Sequence, residues 1–279
     1  MDYTALAFLT HLYQNVDVFL VVFVRIMGFF IILPVLSGQN LPVQARLMLC
    51  LGIALLAFVS NSVYIPADID FTFASFALFM LTEFLVGFIL GLVVMMIFAM
   101  FHFLGQLVDF SMAFGMVNVL DPFGGQQLPV TGNLYFLIIS VMFITTDALR
   151  MVVWGLFESF SIIGLGQGNI LGNPGLAFHI IELMLEFFRL GFHIALPMIG
   201  TLMAIDIVLG IMVKAVPQMN VFVLGMPIKV LVGLFLLYTL MPTLTGVFNI
   251  VMDDVVQYLV QMIWWMAPGG GYDFEYLQY

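Results

Sequence analysis

The stretch Gly105–Gly132, GQLVDFSMAFGMVNVLDPFGGQQLPVTG, lies mid-chain between long apolar blocks. Its second half contains Asp121-Pro122, Gly124-Gly125 and Pro129, which break regular structure and predict turns and a loop. Its first half is apolar, although it leads directly into that loop. An apolar non-helical segment between membrane helices is tolerated only where protein buries it or where it lines a cavity. We therefore expect this stretch to be the functional centre around which the apolar blocks are arranged.

The composition is that of an integral membrane protein. Of 279 residues, 64% are hydrophobic and only 8% are charged, whereas about a quarter are charged in soluble domains. Sixteen acidic residues against six basic ones give a net charge of -10, which argues against nucleic acid as a partner and against a polybasic lipid anchor. The single cysteine, Cys50, excludes an intramolecular disulfide.

Few of the apolar blocks are uninterrupted membrane spans. The blocks cover about 3–33, 47–59, 71–103, 134–163, 176–216, 221–241 and 242–266. Nearly every block has an ionisable residue near its middle, or Pro and Gly inside. A charge at membrane depth costs about 2.5–3.5 kcal/mol and usually faces protein or water. The pattern therefore favours helices packed against other subunits or partly outside the bilayer, although broken helices also occur in small-solute transporters.

A stripe of small and polar residues leads into the central stretch. At steps of three, four or seven, it contains Glu83, Gly87, Gly91, Phe98, His102, Gly105 and Asp109. On a helix such spacings place all of these residues on one face. The stripe is interpreted as a packing seam, because small-xxx-small spacing permits close helix approach. The wall of a conduit is the alternative interpretation.

No pattern of catalytic or metal-binding residues predicts an enzyme. His179, Glu182, Glu186 and His193 share a helical face, but Arg189 on that face would repel a cation. A Glu186–Arg189 pair is therefore predicted there rather than a metal site. Asp147 should pair with Arg150, and Asp206 with another element. Hydrolase, zinc-protease and P-loop motifs are absent from the sequence, so neither catalysis nor a cofactor is predicted.

From Ala215 to Gly233, AVPQMNVFVLGMPIKVLVG, the sequence resembles the FliR/SctT family of type III secretion export-gate proteins. The matching positions in this segment are Pro217, Gln218, Asn220, Phe222, Gly225, Pro227, Lys229 and Gly233. Upstream, in the same order as the family, are Arg25, Pro34, Pro42, Arg46, Glu83, Gly87, Gly91, Gly105, Gly115, Asp121, Pro122, Leu128, Pro129, Ala195, Leu196, Pro197, Leu209 and Gly210. The resemblance covers about residues 15 to 260. Gln106 departs from it, since many relatives have an acidic residue there.

The resemblance implies an all-α membrane protein of kinked helical hairpins. Residues 1–186 would form a FliP-like part with a central plug loop at about 106–132, and residues 187–266 a FliQ-like hairpin. Residues 267–279 are expected to be a solvated, mobile tail. Because proline disfavours helix in the residue before it, Pro217 and Pro227 would either break the helices between spans or help turn the hairpin back on itself.

The resemblance further implies a non-enzymatic subunit of a protein-export gate. Its partners would be FliP-like, FliQ-like and FlhB-like subunits, unfolded export substrates and membrane lipid. It would lie in the bacterial inner membrane at the base of a flagellum or an injectisome. A secondary transporter of a small solute is the alternative function, although no internal repeat supports the two related halves that it requires.

The resemblance also assigns two sets of site residues. The pore or plug set is Val108, Phe110, Met112, Phe114 and Met116. The packing and partner-contact set is Glu83, Gly87, Gly91, Asp121, Pro122, Pro217, Gln218, Asn220, Gly225, Pro227 and Lys229. Small residues at Phe110, Met112, Phe114 and Met116 are expected to leave assembly intact and to make the membrane leaky.

Overall fold

A computed structural model describes residues 13, 15–37, 42–60, 73–112, 129–170, 172–216 and 221–270. Within these ranges every regular element is a helix, which confirms the all-α fold class. The helices are α1 (Val16–Ile32), α2 (Pro34–Ser37), α3 (Val43–Val59), α4 (Phe73–Ser111), α5 (Val130–Thr145), α6 (Ala148–Ile162), α7 (Pro174–Ala215) and α8 (Val221–Met266).

Among the described residues, three helices are long and apolar enough to cross a membrane, namely α4, α7 and α8. Helices α5 and α6 are bent by 70° at the break between them and together would make a fourth span. Helix α7 has 42 residues and would extend about 63 Å at 1.5 Å per residue. A bilayer core is about 30 Å thick, so these helices are longer than an upright span requires.

Prolines lie inside α7 and α8 without ending them. Pro197 is inside α7, and both Pro227 and Pro242 are inside α8. The expectation that Pro227 helps to turn the chain is therefore wrong, and Pro217 lies outside the described residues. A proline removes one backbone hydrogen bond, which neighbouring groups can compensate inside a helical membrane protein.

The chain divides into two compact units. The first unit lies within residues 1–95, 147–182 and 254–279, and the second within 96–146 and 183–253. The expected boundary at residues 186 and 187 lies inside the continuous helix α7. The division into a FliP-like and a FliQ-like part stays a prediction, as does the behaviour of the tail, of which only residues 267–270 are described.

In the first unit, α1 packs against α3 and α4. The rings of Phe19 and Phe58 meet edge to face at 6.0 Å and join α1 to α3. Against α4 the backbones come closer, since a Cβ atom on Gly87 or Gly91 would overlap the backbone of α1. A Cβ atom on Gly28 would likewise overlap the backbone of α4. In this part of α4 the closest contacts with α1 thus lie at the glycines of the stripe.

In the second unit, three phenylalanines of α4 contact three different helices. Phe98 is buried between Phe136 and Phe143 of α5, at ring distances of 5.8 and 5.4 Å. The ring of Phe101 lies 6.2 Å from that of Phe248 in α8, and the ring of Phe103 lies 4.7 Å from that of Phe188 in α7. The C-terminal half of α4 is therefore the central element of this unit.

Candidate functional site

The candidate site is the base of the central segment, defined here as residues 105–112 at the end of α4 and 129–132 at the start of α5. Both halves of this base belong to the second unit. Residues 113–128, which connect the two halves, lie outside the described residues. The geometry of the base determines where the connecting segment leaves one helix and enters the next.

Asp109 supplies the N-terminal cap of α5. The first amide groups of a helix have no partner within it, and the N-cap residue of α5 is Pro129, which has no capping side chain. The N–H of Thr131 donates to both carboxylate oxygens of Asp109, at 3.0 and 2.9 Å, and the N–H of Gly132 donates to Oδ2 at 3.3 Å. The Asp109 residue is only 6% exposed. The positive end of the α5 dipole also favours this carboxylate.

Two glycines allow the helices to meet at this point. A Cβ atom on Gly105 would overlap the Cα and nitrogen atoms of Gly132. The backbones of α4 and α5 therefore touch one turn away from the Asp109 cap. Glycine is needed at position 105 because any side chain there would separate the two helices, whereas a Cβ atom on Gly132 would lie 3.2 Å from the carbonyl oxygen of His102.

The three described residues of the predicted plug set lie on two faces of the C-terminal end of α4. Val108 and Met112 are fully buried, whereas Phe110 is 83% exposed. This follows from helical spacing, because residues four apart share a face and a residue midway between them points away. Phe114 and Met116 lie outside the described residues. The plug role of these residues stays a prediction.

Met112 packs against α8. Its side chain occupies the space that a Cβ atom on Gly233 would take. The end of α4 is thus held by Asp109 towards α5 and by Met112 towards α8. Gly233 matches the family pattern, and the structure shows a physical reason for a glycine at this position.

A second polar centre lies in the first unit, around Arg25 and Glu83, which are both fully buried. The Arg25 guanidinium binds both carboxylate oxygens of Glu83, with Nη2 to Oε1 at 3.0 Å. Arg25 also donates to the carbonyl oxygens of Ser159 and Ile163, at 2.9 and 3.2 Å. It lies 4.4 Å from the centre of the Phe160 ring. Glu83 Oε1 also accepts a hydrogen bond from the backbone N–H of Gly166, at 2.7 Å.

Reasoning from the sequence placed Glu83 in the stripe but missed its pairing with Arg25. A usable signal was present, since Arg25 and Glu83 both lie inside long apolar blocks and their charges are opposite. Ionisable residues at membrane depth commonly pair with one another. The contributions of Ser159 and Gly166 had no such signal, because their backbone groups make most of the contacts.

Several other predicted contacts have internal partners. Lys229 forms an ion pair with Asp206 of α7, which confirms that Asp206 pairs with another element. In α8, Gly225 is buried and Pro227 is exposed. The remaining members of the set, Asp121, Pro122, Pro217, Gln218 and Asn220, lie outside the described residues. Contact of the whole set with partner subunits stays a prediction.

The surface ion pairs agree only in part with the predictions. Arg150 and Asp147 approach to 3.4 Å, as predicted. On α7 the side chain of His179 lies 3.8 Å from that of Glu182. The predicted pair of Glu186 with Arg189, both described and both exposed, is not formed. Within the described ranges, no group of three His, Cys, Asp or Glu side chains converges as metal ligands.

Comparison with known proteins places the chain in a family. The model of "Bacterial export proteins, family 1" matches residues 16–255. The chain is 31% identical over 224 residues to "Flagellar biosynthetic protein FliR" of Bacillus subtilis (strain 168), covering 80% of this chain and 85% of that protein. It is 30% identical over 243 residues to the protein of the same name from Aquifex aeolicus (strain VF5), covering 85% and 91%. The Escherichia coli (strain K12) protein of that name is 24% identical over 240 residues, covering 86% and 90%.

The family match covers the two helices that form the base of the central segment and the α1–α4 seam, and the three relatives cover 80% or more of the chain. The ordered motifs read from the sequence lie within the same region. The chain therefore belongs to family 1 of the bacterial export proteins, in agreement with its resemblance to the FliR/SctT family.

Proposed function

We propose that this chain is a subunit of the flagellar protein-export gate in the bacterial inner membrane. It forms, with FliP-like and FliQ-like subunits, the channel for unfolded export substrates, and an FlhB-like subunit binds nearby. The observation that carries the proposal is the similarity to flagellar FliR proteins over four fifths or more of the chain. Those names favour the flagellum over an injectisome. The role is structural and mechanical, without catalysis, and no observation favours the small-solute transporter.

The surfaces of α7 and α8 support an assembly of several subunits. Many large apolar side chains on these helices are exposed, including Phe178, Leu185, Met203, Ile207, Ile211, Leu231, Phe235 and Tyr238. Charged residues are exposed among them, namely Glu182, Glu186, Arg189 and Lys214. Lipid would cover the apolar side chains at low cost, but contact of the charged side chains with lipid would be costly. Neighbouring protein helices can satisfy both.

The base of the central segment supports the plug assignment. Phe110 lies in the last turn of α4. It is the described plug residue that does not pack into the core, since it is 83% exposed. Its neighbours Val108 and Met112 are fully buried and hold the helix end. In this proposal Phe110, Phe114 and Met116 form the seal, and Val108 and Met112 support it. A seal of Phe and Met side chains excludes small solutes and deforms around an unfolded chain.

The first test is co-expression with FliP-like and FliQ-like subunits from the same genome, followed by native mass spectrometry of the purified membrane complex. A discrete heteromeric complex that contains this chain is the expected result. A stable monomer or homodimer that ignores both partners would contradict the proposal.

The second test addresses the seal. The triple substitution Phe110→Ala, Phe114→Ala and Met116→Ala should leave the complex assembled, since it spares the buried Met112. Proteoliposomes that contain the complex should then lose a trapped small dye faster than those with the unmodified complex. Replacement of Trp154 by Ala, at an exposed position of α6 outside the proposed contact surfaces, is the matched control and should not change dye efflux. Unchanged efflux from the assembled triple variant would remove the plug from the proposal.

A further inference from the structure

We propose that Arg46, at the end of the first turn of α3, binds the phosphate group of an anionic phospholipid. The acyl chains of this lipid lie along the exposed apolar side chains that follow in α3. Arg46 is one of the ordered family motifs, but it belongs to neither the plug set nor the partner-contact set. The inference requires only a membrane-embedded chain and does not depend on the proposed gate.

The first argument is that the Arg46 guanidinium lacks a counter-ion. The residue is half-buried, and its buried Nε atom has no hydrogen-bond partner among the described residues. Arg46 also takes part in none of the ion pairs found in the described ranges. A charge that is partly withdrawn from water is costly unless it is paired. The position therefore suits an anion from outside the chain.

The second argument is that Arg46 lies at one end of a helix pair. Phe19 in the first turn of α1 meets Phe58 in the last turn of α3, so the two helices run antiparallel. Arg46 precedes Phe58 by 12 residues, or about 18 Å along the axis. The exposed Asp17 belongs to the Phe19 end and is thus too far away to pair with Arg46. An arginine near the end of a membrane helix extends to the interface, where lipid phosphates lie.

The third argument is that the rest of α3 suits acyl chains. Arg46 is the only charged residue of this helix, and every residue after it is apolar. Met48, Leu51 and Leu56 are 74%, 46% and 66% exposed. Residues 47–59 would extend about 20 Å, which is less than the bilayer core of about 30 Å. A lipid with its headgroup at Arg46 therefore has apolar side chains along the length of its acyl chains.

The fourth argument is the chemistry at the start of α3. Its N-cap residue, Pro42, has no capping side chain, and the first amides of a helix have no acceptor within it. These amides and the helix dipole attract an anion. The Arg46 guanidinium can bind two phosphate oxygens at once. A carboxylate of a partner subunit would satisfy the charge alone, whereas one phospholipid supplies both the anion and the apolar cover.

The test uses the full-length chain in a neutral detergent, to which phosphatidylglycerol or phosphatidylcholine is added. Native mass spectrometry counts the bound lipid, and the Tm is measured at each lipid concentration. Phosphatidylglycerol should bind more tightly and raise the Tm more, because a ligand of the folded state stabilises it and choline offsets the phosphate charge. Arg46→Gln should weaken phosphatidylglycerol binding roughly tenfold, the factor expected for loss of a hydrogen bond between charged groups.

Controls separate the headgroup contact from general effects of charge. Arg150→Gln makes the same charge change at an exposed arginine that already pairs with Asp147, and it should leave lipid binding unchanged. Arg46→Lys keeps the charge but loses the two-point contact, so it should weaken binding less than Arg46→Gln. It also provides the comparison if Arg46→Gln does not fold. Inorganic phosphate alone should not raise the Tm at the concentrations at which phosphatidylglycerol does, because it lacks acyl chains.

The outcomes distinguish this inference from the proposed function. Equal binding of phosphatidylglycerol by the unmodified chain and the Arg46 variants overturns the lipid site, as does equal binding of the two lipids. A Tm increase with inorganic phosphate alone also overturns it and indicates a site for the free anion. If Arg46→Gln leaves lipid binding unchanged but prevents assembly with FliP-like and FliQ-like subunits, Arg46 pairs with a partner subunit instead. Failure of the unmodified chain to assemble counts against the gate and not against the lipid site.

Discussion

At the residue scale, the most demanding requirement of this protein is the burial of charge. Arg25 and Glu83 are fully buried, and burial of either charge alone would be prohibitive. The geometry satisfies both groups, because the planar guanidinium matches the two carboxylate oxygens and has further donors for two carbonyl oxygens. The pair also holds the chain that follows α6 against α1 and α4. The main contribution of the ion pair is therefore to position these three segments relative to one another.

Substitution Glu83→Gln should therefore destabilise the chain strongly. It leaves the Arg25 charge buried without its counter-ion, and removal of one member of such a pair costs about 3–5 kcal/mol. The measurement is the free energy of unfolding in detergent, by chemical denaturation. Asp147→Asn is the control, because its ion pair with Arg150 is exposed and should contribute less than about 1 kcal/mol. Equal losses in the two variants would show that the buried pair does not hold the first unit together.

At the element scale, α4 organises both units, by glycine contact in one and by aromatic contact in the other. Gly87 and Gly91 let α1 approach the N-terminal half of α4 until their backbones touch. Phe98, Phe101 and Phe103 extend from its C-terminal half to three other helices. One helix carries both kinds of packing because Gly87 and Gly91 lie on its face towards α1, whereas Phe98, Phe101 and Phe103 lie where other helices pack against its C-terminal half.

Gly87→Ala and Gly210→Ala should act in opposite directions. A methyl group on Gly87 would overlap the carbonyl oxygen of Arg25, so the backbones must separate, at a cost of about 1–3 kcal/mol. Gly210, in the exposed part of α7, has open space around it, and alanine there should stabilise the helix by up to about 1 kcal/mol. The measurement is the Tm of each variant in the same detergent. A rise in Tm for Gly87→Ala would contradict the close α1–α4 contact.

At the scale of the whole molecule, the long helices have more apolar surface than the chain itself covers. Leu231 and Phe235 of α8 are 68% and 67% exposed, whereas Leu237 on the same helix is 5% exposed. The helix is thus buried on one side only. In the proposed gate the exposed side contacts other subunits.

A photo-crosslinking experiment tests that coverage in cell membranes. A photoreactive phenylalanine derivative at Leu231 or Phe235 should form adducts with FliP-like or FliQ-like subunits. The same derivative at Leu237 is the control and should react within the chain. Adducts of Leu231 and Phe235 with lipid alone, in cells that express all partners, would show that these side chains face the bilayer.

The sequence alone was sufficient for the fold class, the membrane setting and the family. Composition and apolar block length depend on residues close together in the chain, and so does the glycine spacing that predicted a packing seam on α4. The ordered motifs identified the family for the same reason, since each is a short run. The Asp147–Arg150 pair, at adjacent helical positions, was also within reach of such reasoning.

Only the tertiary structure decided which distant groups meet. Arg25 and Glu83 are 58 positions apart, and Asp109 reaches the amides of α5 across 22 positions. Such contacts depend on where two helices cross and on how each is rotated about its axis. Helical periodicity in the sequence determines neither of these. The same is true of Pro227 and Pro242, which local propensity treats as helix breaks and which lie inside a continuous helix. Local patterns thus determined the fold class, the membrane setting and the family, whereas tertiary packing decided which residues hold the base of the central segment.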